Sequence, residues 1–284
     1  MLSTLPVSRL LLIRPISPWL RLTAILGVAC ALLACQSRQV TSPASAPAVP
    51  SPEDIKKQQF HTFVARFQSI LGNRALEANS EGLTGEVRLR IKINRNNQVS
   101  SCETQATGLA TANAPLADLS KKVCWSAVFP VVPADRLDKD GNVEVVAPLI
   151  YLPMNDTQGL SMQPLYQHYA QSRYFAERTL LKAPPDSIGV VTFEYLANKQ
   201  GKVEACVVNL QRHRERPEAF TYDNVLQSRL TEQCKHLDLA QMPGFSVDET
   251  GVSRGAVAFE YSPWMAGQAR ANDLFDPGVG RRGS

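Results

Sequence analysis

The sequence predicts an α+β protein: two tandem copies of a small α-β-β-α-β unit, each with a three-stranded antiparallel sheet packed on helices. Three observations predict it. The chain repeats itself: "GEVRLRIKINRNNQVSSCET" (Gly85–Thr104) lies over "GVVTFEYLANKQGKVEACVV" (Gly189–Val208) at a constant offset of 104. "CWSAVFPVVP" (Cys124–Pro133) lies over "CKHLDLAQMP" (Cys234–Pro243) at 110, and the same 110 relates Leu149, Tyr151 and Pro153 to Phe259, Tyr261 and Pro263. Apolar residues alternate with polar ones over 87–94, the pattern of a strand wet on one side. Phe60, Phe63, Val64, Phe67, Ile70 and Leu71 fall on one helical face. Two copies at so long a period make tandem domains, since solenoids need shorter units and at least three of them.

Copy one opens with a helix. Ser51-Pro52-Glu53-Asp54 offers an N-cap, a proline at N1 and acids for the first turn. Gly72 is the expected stop. The strand over 87–93 turns at Asn94-Arg95-Asn96-Asn97 and returns as a second strand over 99–104, a hairpin. A second helix is expected over 115–126, with Leu116, Leu119 and Val123 inward, then breaks at Pro130 and Pro133 and a third strand over 143–152. In copy two the same order places helices over 163–181 and 222–237, a hairpin over 189–196 and 202–209, and a last strand over 255–261. Domain one is thus expected at 53–156, domain two at 160–264, and a disordered tail at 265–284.

The repeat also sorts the cysteines. Six are present, and Cys102, Cys124, Cys206 and Cys234 lie in the two copies. Each copy holds two at equivalent places, so Cys102–Cys124 and Cys206–Cys234 are the expected disulfides, stapling second strand to second helix. Copy two carries six extra residues between its cysteines, the difference of the two offsets, around Gln211-Arg212-His213-Arg214-Glu215-Arg216. This charge concentration reads as a solvated loop, or else as a contact for an acidic partner or lipid headgroup.

The remaining cysteines, Cys30 and Cys35, sit in "ACALLACQ" at the end of an apolar run. Arg9, Arg14 and Arg21 precede that run with no acidic residue, which is the layout of a secretory signal. The run is too short for a comfortable membrane span of about 20 residues. Leu32-Leu33-Ala34-Cys35 resembles the lipobox of bacterial lipoproteins, and Gly27-Val28-Ala29-Cys30 resembles it less, lacking the leucine. The resemblance implies cleavage after Ala34, a 1–34 signal peptide, acylation (palmitate included) of Cys35, and a flexible Ser/Pro/Ala tether over 35–52. Gln36 after the cysteine, in place of Asp, points to the outer membrane and its periplasmic side. A plain secretory signal with a chance cysteine, or an uncleaved inner-membrane anchor, is the alternative. Removing the first 34 of 284 residues leaves 250, and removing their three arginines lowers the formal charge from +4 to +1. That balance gives no electrostatic case for nucleic acid as a partner.

The copies themselves resemble the C-terminal domain of TonB-like proteins. Gly85, Val87 and Leu89 in the hairpin, Asn96, Asn97 and Val99 at its turn, Trp125 and Phe129-Pro130 after the second helix, and the closing strand carry the likeness. Copy two keeps only Met242-Pro243 of the proline segment. The resemblance implies a non-enzymatic module that binds an envelope protein partner by strand addition to its terminal strand, in an envelope or transport complex. The edges concerned are Val143, Val145, Leu149 and Tyr151 in copy one and Val257, Phe259 and Tyr261 in copy two. A TonB-type energy transducer with a retained inner-membrane anchor is the other reading. The short tether speaks against it: about 16 residues span at most about 50 Å.

No catalytic constellation is visible. His61, His168, His213 and His236 show no metal-ligand spacing, and no C-x-x-C, G-x-S-x-G, phosphate loop or dinucleotide fingerprint occurs. Neither a cofactor nor a metal is expected. Trp125 and Trp264, and the cluster Tyr166, Tyr169, Tyr174 and Phe175, are expected in the core or between the copies.

Overall fold

The computed structural model describes residues 51–105 and 114–267. The expected signal peptide, the expected lipidation site Cys35, all of the expected tether but Ser51 and Pro52, and the chain beyond Gly267 lie outside the described residues.

Helix α1 runs over Pro52–Ala78 and starts on a capping box in which Ser51 and Asp54 satisfy each other's backbone N–H. It passes through Gly72 instead of stopping there. The residues beyond, Asn73 to Ala78, include Ala75 and Ala78, both buried, and their packing outweighs the roughly 1 kcal/mol helix penalty of one glycine. Strands β1 (Gly85–Ile93) and β2 (Val99–Gln105) form the first hairpin, α2 (Ala114–Ser126) follows, and β3 (Val143–Tyr151) closes copy one. Copy two consists of α3 (Asp156–Thr179), β4 (Gly189–Asn198), β5 (Val203–Arg212), α4 (Asn224–Lys235) and β6 (Val252–Tyr261). The fold is therefore α+β, with two three-stranded antiparallel sheets and four helices among the described residues.

The sheet orders are β2-β1-β3 and β5-β4-β6, so the strand that opens each hairpin is central. Val87, Leu89 and Ile91 point to the helix side and are fully buried, while Arg88 and Arg90 between them stay wet. Each such buried aliphatic contributes about 1.5–3 kcal/mol. Asn97 closes the first hairpin with φ 56°, a left-handed value that asparagine tolerates. Gly201 takes that role in copy two with φ 79°, and any side chain there would collide with Ala240. Copy two's hairpin is longer than expected, since the first two of its extra residues, Gln211 and Arg212, still pair with β4. Helix α3 begins seven residues before the expected Gln163. A second capping box, Asn155 with Gln158, starts it, and Pro164 is accommodated inside it.

Disulfides join Cys102 of β2 to Cys124 of α2 and Cys206 of β5 to Cys234 of α4. Both follow the repeat.

The two copies are not separate beads. The described residues, 51–105 and 114–267, belong to one compact unit. The core of copy one, built around Phe67, Leu71, Leu89, Ile91 and Val123, also contains Ile188 and Trp264 from copy two. Trp264 lies three residues past β6, is 6% exposed, and donates its indole N–H to the Ala127 carbonyl at 3.1 Å. Met265 and Ala266, expected at the start of a disordered tail, are buried behind it. Tyr169 of α3 packs on the same core, while Tyr174 and Phe175 belong to that of copy two. Among the described residues no helix is long and apolar enough to cross a membrane.

Candidate functional site

Two places concentrate unusual side chains: the junction between the copies and the free margin of β3.

The junction is built by the charge-rich insertion of copy two. The solvated-loop reading describes Gln211, Arg212 and Arg214, which are exposed, but not His213 and Arg216. His213 and Arg216 are each only 4% exposed. Arg216 donates from Nη1 to the Asn97 carbonyl of copy one at 3.0 Å and from Nε to Glu218 at 2.6 Å. Glu215 meets Arg66 of α1 at 3.1 Å. His213 Nδ1 accepts the Glu215 backbone N–H at 3.1 Å, so the neutral ring carries its proton on Nε2, which faces Glu260 Oε1 at 3.1 Å. The same oxygen meets Arg74 Nη2 of α1 at 2.6 Å, and Arg74 Nη1 meets Glu77 at 3.0 Å. Burial alone would raise the Glu260 carboxyl. The His213 hydrogen bond and the Arg74 guanidinium outweigh it and hold that carboxyl below its ordinary value. Gln211, Arg212 and Arg214 of the run are exposed, Arg214 with 93% of its side chain, at 4.0 Å from Glu215. The insertion is a clasp that fixes copy two against α1 and the first hairpin turn.

The strands expected to bind a partner are β3 and β6, and both are sheet edges. The named side chains point inward. Leu149, Tyr151, Val257, Phe259 and Tyr261 are buried, and Val143 and Val145 are half-buried. Tyr151 places its hydroxyl 3.0 Å from Ser120 Oγ in the core, where burial pushes its pKa up. The exposed apolar residues lie between them on β3 and just beyond: Val146 at 49%, Ile150 at 66% and Leu152 at 70%. Periodicity places these on the other face. The sequence carried a signal for them in "APLIYLP" (Ala147–Pro153), where the polar half of the alternation is missing. Pro148 also lies there and supplies no N–H to the open edge.

Between this margin and α1 runs a groove of about 660 Å³. Leu71, Gly72, Ala75 and Leu76 of α1 form one wall and Leu149 to Pro153 the other, with Gln158, Ser161 and Met162 of α3 at one end. Among the described residues no charged side chain lines it. Gly72 leaves it wide: a Cβ added there would meet nothing within 4 Å. An open, uncharged, apolar channel of this size suits an apolar binding partner.

Compared with protein-family models, curated proteins and solved structures, the chain matches none. Among the described residues no group of three or more His, Cys, Asp or Glu is placed to hold a metal ion. His61, His168 and His236 are exposed and far apart in the chain, and His213 is committed to the junction.

Proposed function

We propose that the chain is a membrane-anchored periplasmic lipoprotein whose two TonB C-terminal-like copies form a non-enzymatic protein-binding module of an envelope or transport complex. Export and cleavage before Cys35 place acyl chains on that residue. Each buried CH₂ then adds about 0.8 kcal/mol of membrane affinity, and several chains anchor firmly. The outer membrane, periplasmic side, is its proposed location.

The observation that carries the binding reading is the free margin of β3. Val146, Ile150 and Leu152 expose apolar surface along an edge strand beside an uncharged groove. Such a surface costs solubility unless something covers it. The α-β-β-α-β order of each copy and its hairpin support the likeness to TonB-type domains.

The test is a crosslinking pull-down from envelopes, comparing the native chain with Cys35→Ala and reading the mass of the N-terminal peptide. The expected result is an acylated Cys35 and capture of a defined envelope protein that is lost or weakened in Cys35→Ala. An intact N-terminus with capture of an outer-membrane transporter would make the chain an energy transducer instead.

A further inference from the structure

The repeat gives the groove of copy one an internal counterpart. In copy two the corresponding space lies between α3 and β6. It is lined by Ser172 and Ala176 of α3 and by Phe259 and Glu260 of β6. At the 110 offset, Phe259 and Glu260 are the equivalents of Leu149 and Ile150, which line the groove of copy one. The copy-two space is nearly filled, with about 40 Å³ left against about 660 Å³ in copy one. Side chains from outside α3 and β6 close it: Arg74 and Glu77 of α1, Ser126 and Met265. Arg74 and Glu77, one turn apart on α1, enter it, and Arg74 closes on Glu260.

We infer that the α1–β3 groove of copy one receives the flank of a partner protein's amphipathic helix, apolar and uncharged where it meets Ile150. This rests on the protein-binding reading above and names the partner's chemistry. The occupant class follows from copy two, where side chains from the flank of a helix, Arg74 and Glu77 of α1, border this slot. The difference in chemistry follows from one position. Glu260, which demands the Arg74 guanidinium, is replaced by Ile150, and no other lining residue carries a charge. A charged side chain entering this groove would lose hydration without gaining a partner. Gly72 and Ala75, three apart on α1, keep that wall low enough for another helix to come close, as helices packing at 8–10 Å require. The end of the groove at Met162 belongs to α3, which already packs along α1, so an incoming helix extends an existing row. A strand is the weaker occupant. Pro148 removes a donor from the middle of the open edge, at the place where copy two has Ala258. Recognition is then by apolar anchors at helical spacing.

Site-specific photo-crosslinking in intact envelopes tests this. The photoreactive residue is placed at Ile150 and at Leu76, both exposed, with Val225 of α4 as the control. The adducts from Ile150 and Leu76 are expected on one protein, at positions three, four or seven residues apart. Gly72→Trp, which fills the groove without meeting a neighbour at its Cβ, is expected to lower their yield by at least about tenfold. Adducts two residues apart on the partner would mean strand addition and overturn the helix inference, leaving the protein-binding reading in place. Unchanged adducts in Gly72→Trp would also overturn it. Adducts with lipid alone, or no adduct above the Val225 control, would overturn both readings.

Discussion

Truncating Trp264 to alanine should destabilise copy one more than the copy that supplies the residue. Trp264 is 6% exposed, sits in the core of copy one, and holds the Ala127 carbonyl at 3.1 Å. Removing a buried Trp side chain costs about 3–5 kcal/mol. Part of this is the Ala127 carbonyl left without its donor, worth about 1–3 kcal/mol. Trp264→Phe keeps most of the ring volume and isolates that part. With a urea m-value of about 3 kcal/mol/M, the midpoint for Trp264→Ala falls by about 1–1.7 M. The assay is urea unfolding combined with amide exchange read separately over each copy. A single transition is expected in the native chain. In Trp264→Ala, faster exchange is expected first at Val123 and Val128 in copy one. A response confined to copy two, or two transitions in the native chain, would refute the shared core.

Three further outcomes follow from the same contacts. Replacing Cys206 and Cys234 with alanine opens a loop of sequence separation 28 and should cost about 3–4 kcal/mol in the chain-entropy account, read by urea unfolding without reductant. Arg216→Ala, which leaves the part-buried Asn97 carbonyl without its donor, should cost about 1–3 kcal/mol, while Arg214→Ala, on a side chain 93% exposed, should stay within about 0.5 kcal/mol of the native chain. Folding lowers the pKa of Glu260, so its contribution is complete above the unfolded value of 4.5 and is lost as pH falls below it. The stability gap between the native chain and Glu260→Gln should therefore shrink as pH falls below about 4.5.

Local features of the fold were legible because local chemistry decides them. The alternation at Val87, Leu89, Ile91 and Ile93 gave the central strand of copy one. The Asn94–Asn97 turn gave its hairpin, and the repeat alone paired Cys102 with Cys124 and Cys206 with Cys234. Boundaries shifted where a cap or a burial pattern outweighed a single residue, as at Gly72 inside α1 and at Asn155 ahead of α3. The site was less legible. Val146 and Ile150 are exposed because nothing among the described residues covers β3, whereas Arg74 of α1 reaches Glu260 at the matching place on β6. That difference arises from how the copies dock, a long-range event with no period in the sequence. His213 and Arg216 look like solvated charge for the same reason: each is buried by partners far away in the chain, such as Asn97 for Arg216.

The open groove of copy one is where protein binding is tested most directly. Once crosslinking from Ile150 has named the envelope protein, its affinity should be titrated on the native chain, on Gly72→Trp and on Ile150→Glu. The groove reading predicts a Kd raised at least about tenfold in both variants, with folding stability and the disulfides intact. Equal affinity across the three proteins would contradict it and place the partner elsewhere on the molecule.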